Sequence, residues 1–372
     1  MIPLDGSQTM KSFLKDHQRA QSRTARGRLV AQLMTKAWRC LPPTNSAEEL
    51  ADIASLLLAT GAGGLTWCRI RHTGLQDSGV AHQFHQAYRE HSIQAALGQR
   101  SLKQIIPLLR DSGVEPVLVK GWAIARLYSE IGMRPYGDLD LCVLPEHYQS
   151  AQAVLASPES QACNVDLHLG FGKFYEGQTE GVFARSQLVK LDDLEVRVLS
   201  AEDHLRFLCM HLLRHGAVRP LWLCDIAVLL ESCGDNFDWD MCLQGSPKHA
   251  DWVACAVGLA HHLVGAEVER TPIARRAASL PRWFVPAVLE EWGVPFQFRG
   301  QVAVYLRNPV RLMRDLLKEL PRHWPNPIEA TMTLNGPFND LPRLPFQVGH
   351  VFSRAAALLL QLSGFARWAS SS

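Results

Sequence analysis

At 372 residues the chain is long enough for two domains, or for one with large helical additions. Hydrophobic residues make up 47% and charged residues 20%, which argues against disorder over most of the chain. A formal net charge of +2 excludes any general electrostatic case for nucleic acid or membrane as partner.

The chain opens Met1-Ile2-Pro3-Leu4-Asp5, with no charged stretch leading into an apolar one, so no signal peptide is expected. No run reaches the roughly 18 apolar residues of a membrane helix. The nine cysteines include no Cys-x-x-Cys pair, and Cys142, Cys209, Cys224 and Cys255 sit inside apolar runs. Free thiols in a reducing, cytoplasmic setting are the expectation. Residues 1–40 hold eight basic side chains against Asp5 and Asp16, which suits either a solvated helix or an anionic partner.

From about residue 8 to 110 the pattern is helical. Ser46 and Glu49 have the spacing of a capping box ahead of Ile53, Leu56, Leu57 and Leu58. Leu102, Ile105, Ile106 and Leu109 share a helical face, and Gly113 stands where a helix-ending glycine belongs. At residue 115 the period changes. Pro116-Val117-Leu118-Val119 reads as a strand feeding the Lys120-Gly121 turn, and a helix is predicted over 122–131. Asp138 to Leu144 alternates acidic and apolar side chains, the period of a half-buried strand. A helix follows to about Leu155, then a strand over 164–169, then a hairpin whose arms, 188–191 and 194–198, flank Asp192-Asp193. Ser200 to Asp203 forms a second capping-box pattern, 222–230 is apolar nearly all round, and further helices are predicted near 249–265, 301–320 and 348–368. The expected class is α+β: a small mixed sheet over 111–199, flanked by helical regions over 1–110 and 200–372.

Asp138 and Asp140, two apart on a strand, leave the same face of the sheet. Paired carboxylates repel unless a cation lies between them, and such hard oxygen donors suit magnesium. Asp166, in Asn164-Val165-Asp166-Leu167-His168, supplies a third carboxylate from a later strand. Three carboxylates have the donors for two metal ions. Lys120 and Gly121 offer a point charge and a close backbone approach to a phosphate, and Arg134 offers a fixed fork for phosphate oxygens. His168 shares the face of Asp166, where it either steers a substrate or is simply a hydrogen-bonded strand residue. His204, His211 and His215 follow one helical face, as cleft wall, metal ligands or packed core residues. Asp225, inside its apolar helix, calls for an arginine or a neighbouring helix as partner.

The order strand, glycine turn, helix, Asp-x-Asp strand, later Asp resembles the nucleotidyltransferase superfamily that includes DNA polymerase beta. It is most similar to the bacterial family of uncharacterised nucleotidyltransferases. The carrying residues are Val119-Lys120-Gly121, Tyr128, Arg134-Pro135, Gly137 to Val143, Val165 to His168, Glu202-Asp203-His204 with Leu208 and His211, and Trp222 to Ile226. The resemblance spans roughly residues 100–231. It implies that Asp138, Asp140 and Asp166 bind two magnesium ions and carry catalysis. Lys120, Gly121, Arg134 and His168 would contact the donor, which is ATP or another nucleoside triphosphate. Transfer of a nucleoside monophosphate to an acceptor hydroxyl, with release of pyrophosphate, is the implied reaction, the acceptor being a small molecule, peptide, protein or RNA. Trp122 stands where the superfamily has a small residue. If its bulk crowds the phosphates, the chain is instead a non-catalytic nucleotide-binding or regulatory protein. A transferase adding phosphate groups to a peptide is the third reading. The series Arg299, Arg307, Arg311, Arg314, Lys318 and Arg322 suits an anionic acceptor, or a solvated helix with internal pairs to Asp315 and Glu319.

Overall fold

The structure, a computed structural model, describes residues 6–171, 179–295 and 324–369. The helix predicted over 301–320 and the basic series Arg299 to Arg322 lie outside the described residues.

Four helices come first: α1 (Gly6–Met34), α2 (Ala47–Ala59), α3 (Gly63–Ile70) and α4 (Ala81–Asp111). The capping box at α2 forms as its spacing predicts. The Glu49 N–H donates to Ser46 Oγ at 3.2 Å, and the Ser46 N–H donates to Glu49 Oε2 at 3.0 Å. Gly113 ends α4 with φ 75°.

The sheet has five strands: β1 (Val117–Leu118), β2 (Leu139–Val143), β3 (Val165–Leu169), β4 (Gln187–Leu191) and β5 (Leu194–Val198). Their spatial order is β3-β2-β1-β5-β4. β2 runs parallel to β3 and antiparallel to β1; β5 runs parallel to β1 and forms a hairpin with β4. The mixed sheet with flanking helices is the α+β class the sequence implies. Leu139, Leu141 and Val143 of β2 point to one face, where they pack with Leu102, Ile105, Ile106 and Leu109 of α4 and with Val196 and Val198 of β5. The opposite face carries Asp140 and Cys142, the latter packed with Val117, Val119, Phe171 and Phe207. The crossover from β2 to β3 carries α6 (Tyr148–Leu155).

One predicted element is much shorter than expected. Instead of a helix over 122–131, a single turn, α5 (Trp122–Ala125), forms, and the chain then winds irregularly to Tyr136. The reason is tertiary. Tyr128 donates its hydroxyl to Asp225 at 2.8 Å, and Glu130 accepts from Tyr88 and Arg71 on other helices. Pulled toward separate partners, these residues cannot share a regular helix.

After the short α7 (Thr179–Arg185) and the hairpin, the chain is helical. It runs through α8 (Ala201–Arg214), α9 (Pro220–Cys233), α10 (Trp239–Leu243), α11 (Pro247–Val264), α12 (Ala274–Ala278) and α13 (Phe284–Trp292), with later helices at Pro327–Thr333 and Leu344–Ala369. At α8 only half of the predicted capping box forms. Ser200 Oγ accepts from the Asp203 N–H at 3.2 Å, but the Asp203 carboxylate turns to Arg185. Residues from both ends of the chain share one apolar core: Leu33, Ile53 and Leu65 from the early helices pack with Leu208, Leu223, Val257 and Phe284 from the later ones. Among the described residues no helix is long and apolar enough to cross a membrane. All nine cysteines are free.

The helices and the loop before β2 are joined by a buried ion pair. Arg134 donates from Nε and a terminal nitrogen to the two oxygens of Asp225 on α9, at 3.2 and 2.8 Å. Asp225 has no solvent exposure. Asp225→Ala strands a buried guanidinium and is expected to cost about 3–5 kcal/mol. Lys103→Ala, which breaks the exposed pair with Asp192, is expected to cost under about 1 kcal/mol. Urea denaturation of both variants checks the contrast.

Candidate active site

The register of β2 and β3 builds the site. Asp140 lies directly opposite Asp166, and Cys142 opposite His168. Residues two apart on a strand share a face, so Asp140, Asp166 and His168 converge on the side away from α4. A nitrogen of His168 and one oxygen from each carboxylate all lie within 4.8 Å of one another. His168 Nε2 stands 3.2 Å from Asp140 and 3.3 Å from Asp166, bridging them. Lys120, one residue past Val119, sets its ammonium 2.5 Å from the same Asp140 oxygen. The Val119 N–H donates to the Asp140 carbonyl at 3.1 Å, so β1 and β2 hold this pair in register.

Asp138 immediately precedes β2. Its segment is tied to β3 by Asn164, whose side-chain amide donates to the Gly137 carbonyl at 2.7 Å. Asp138 is exposed, whereas Asp140 is buried at 2% exposure and Asp166 keeps 56% of its side chain in solvent. Asp138 is outside the close group of Asp140, Asp166 and His168. Electrostatically it belongs with them. Crowding by protein and then the charge of Asp140 raise its carboxyl above the usual value, against the pull of Lys120. Burial pushes Asp140 the same way, but His168 and Lys120 outweigh it and hold Asp140 below its usual value. The donor set is therefore one deeply held carboxylate flanked by two accessible ones.

Gly121 has φ 60° and ψ −121°, a conformation that suits glycine. A Cβ there would stand 3.1 Å from the Asp138 carbonyl oxygen. The turn is thus pressed against the acidic segment, as a glycine before a phosphate site would be. Trp122 does not crowd this space. It is 5% exposed and packs with Ala95, Tyr136 and Leu139 in the core beneath the sheet. Tyr128 is buried on Asp225.

Arg134 is not brought to the carboxylates. Its fork is bound to Asp225, its remaining terminal nitrogen donates to the Pro135 carbonyl at 2.9 Å, and Asp140 is only within Coulombic reach. The arginine partner that Asp225 calls for is this one. A cavity of ≈ 290 Å³ opens beside Asp138, bounded by Gln94, Leu97, Ser101, Tyr136 and Asn164.

At the junction of α8 and α9 stand residues that the sequence pattern picked out only in part. The rings of His211, His215 and Trp222 cluster with centroids 4.5–5.5 Å apart. Arg219 lies over Trp222 at 5.4 Å. Its charge interacts with Asp138, and His211 and His215 interact with Lys120. The spacing of His204, His211 and His215 along one helical face left cleft wall, metal ligands and packed core residues open. Arg219, just ahead of the helix-opening Pro220, carried no periodic signal.

A model of the family described as uncharacterised nucleotidyltransferase matches residues 46–161 and 157–265. This chain belongs to that family. No curated protein and no solved structure matches it. Nucleotidyl transfer is the general activity of the family, and the three carboxylates, the Gly121 turn and the histidine-bearing α8 all lie inside the matched region.

His204 on α8 is 2% exposed, hydrogen-bonds to the Val119 backbone, and has no partner at Nε2. Burial, helped by the charge of Arg126, pushes its pKa down to about 3. In the unfolded chain it titrates near 6.5. The unfolded state therefore binds the extra proton between these values. The stabilisation from His204 is complete above about pH 6.5 and drains away as pH falls toward 3. In denaturation curves from pH 6.5 to 4.5, His204→Gln is expected to flatten the loss of stability by up to about 1.4 kcal/mol per pH unit, the value of one proton.

Proposed function

We propose that the chain transfers a nucleoside monophosphate from ATP or another nucleoside triphosphate to an acceptor hydroxyl, releasing pyrophosphate. The observation that carries this reading is the pairing of Asp140 with Asp166 on adjacent parallel strands, with Asp138 two residues away, in a chain of the nucleotidyltransferase family.

The donor set fits a divalent metal. Oxygens of Asp140 and Asp166 converge with a ring nitrogen of His168, and the Lys120 ammonium stands against Asp140. Asp138, Asp140 and Asp166 would hold two magnesium ions. Such ions, when bound, neutralise charge on the phosphates and make the attacking hydroxyl more acidic.

The chain's own residues do the rest. Asp140 is the fixed member, held by Lys120 and His168. Asp166, on the sheet's edge strand and open to solvent, is placed to take the proton of an arriving hydroxyl. His168 bridges Asp140 and Asp166. Lys120, beside Asp140, would supply positive charge to a phosphate bound near the Gly121 turn. Gly121 keeps the turn beside Asp138 free of side-chain bulk. The openness of Asp138 and Asp166 suits an acceptor hydroxyl on a small molecule, peptide, protein or RNA. Trp122 is packed beneath the sheet, which supports the catalytic reading over the non-catalytic one.

The test follows an α-phosphate label from a panel of nucleoside triphosphates to candidate acceptors. Asp140→Asn is expected to reduce transfer more than about 10²-fold, the usual scale for losing a charge-stabilising group. Chelation should abolish transfer and magnesium restore it. Unchanged transfer in Asp140→Asn would sink the proposal.

A further inference from the structure

Away from the carboxylates, a second cluster of reactive side chains joins three stretches of the chain. Cys40 ends a short 3₁₀ turn, Ala37–Arg39, that follows α1. Cys68 lies on α3, and Glu130 lies in the irregular stretch before β2. The two sulfurs and one Glu130 oxygen all lie within 4.8 Å of one another, with Cys68 Sγ 3.9 Å from Glu130 Oε2. Cys68 is buried at 2% exposure, whereas Cys40 is half-buried.

The backbone holds this pair together. Cys40 is left-handed, with φ 53° and ψ 24°, a conformation that a residue with a side chain seldom takes. Arg69, the neighbour of Cys68 in sequence, is buried and binds the chain on both sides of Cys40. Its Nε donates to the Leu41 carbonyl at 2.7 Å, one terminal nitrogen donates to the Pro42 carbonyl at 3.2 Å, and the other donates to the Leu33 carbonyl. The loop that carries Cys40 is thus fastened to the helix that carries Cys68.

Glu130 is engaged by other donors. Arg71 donates to Oε2 at 2.8 Å and also to Oε1, and the Tyr88 hydroxyl donates to Oε2 at 2.7 Å. A zinc ion would have to displace them, and among the described residues the cluster offers it only two sulfurs besides. The thiols themselves are unlike. A hydrogen bond from Cys68 outweighs burial and brings the Cys40 thiol down to about 7, with Arg71 helping and Glu130 opposing. The same contact, together with burial, raises Cys68. A thiolate open to small reagents beside a buried thiol is the arrangement of an attacking and a resolving cysteine.

We infer that Cys40 and Cys68 form a reversible disulfide by exchange with a small-molecule disulfide. The Cys40 thiolate attacks one sulfur of the reagent, whose S–S bond breaks and releases one thiolate. The Cys68 sulfur then attacks the Cys40 sulfur of this mixed disulfide, and the second thiolate leaves. The two thiol protons pass to the two released thiolates. The protein dithiol is oxidised, and the reagent is reduced to two thiols. A sulfur–sulfur bond is roughly 2 Å long, so both side chains turn toward each other on closure. The bond fastens covalently the loop that Arg69 already fastens by hydrogen bonds. This exchange is independent of nucleotidyl transfer.

The experiment incubates the folded full chain with oxidised glutathione, quenches with acid, blocks the remaining thiols with N-ethylmaleimide in urea, and maps the peptides by mass spectrometry. The wild type should yield a peptide pair joined through Cys40 and Cys68, lighter by two hydrogen atoms than its halves and separated again by dithiothreitol. C68S should stop at a glutathione adduct on Cys40, and C40S should leave Cys68 open to N-ethylmaleimide. If both thiols of the wild type stay free, or carry glutathione without joining, the inference is overturned. If C68S does not fold, the wild-type map decides alone. Zinc is also titrated by calorimetry into the reduced wild type, C40S and E130Q. Binding that both variants lose would make the cluster a metal site and overturn the disulfide.

Discussion

Two carboxylates set directly opposite each other on adjacent strands repel, and the front of this sheet is arranged around that repulsion. The register that pairs Asp140 with Asp166 is fixed from behind, where Leu139, Leu141 and Val143 lock into the core with α4. A slip of one residue would send these apolar groups to the front and the acids into the core. The apolar face thus determines where the charges stand, and the charges must be answered where they stand. Lys120 and His168 answer them, and both are groups that a cation can displace. A sheet designed only for stability would place an apolar pair or opposite charges at these positions. Two acids kept in register need such counter-charge beside them.

The second constraint is the Arg134–Asp225 pair. It joins the irregular stretch before β2 to α9, the helix that also carries Trp222. Tyr128 adds a hydroxyl to the same carboxylate, so Asp225 receives three donors: that hydroxyl and two guanidinium nitrogens. A buried pair of this kind is weak evidence for stability in itself, because desolvation opposes its attraction. Its consequence here is positional. The acidic segment and α9 are tied through one buried carboxylate, and α9 shares its core with the early and late helices.

Much of this was legible in the amino-acid order. The strand edges, the hairpin around Asp192-Asp193, the cap at Ser46 and the acids on one face all follow from local periodicity and turn chemistry, which depend on neighbours in sequence. What was not legible depends on neighbours in space. The stretch 122–131 has the composition of a helix, but Tyr128 and Glu130 are claimed by distant partners. Asp203 has the spacing to complete a capping box, but Arg185 takes its carboxylate. Arg134 has the place of a phosphate ligand in the chain order, yet Asp225, 91 positions later, holds it. In each case a long-range charged or hydroxyl contact, stronger than the local preference, decided the outcome.

The same logic explains why Arg219 escaped notice. It lies in a short connection, follows no apolar period, and precedes a proline that reads only as a helix start. The connection holds two left-handed residues, and one of these is alanine, a residue with no preference for that conformation. The strain is tolerated because Asn326 and Trp292, from helices much later in the chain, hold the loop's carbonyls. The α8–α9 link is therefore held by two other parts of the chain. The acids are a local pattern and announce themselves; this link is a product of the whole fold.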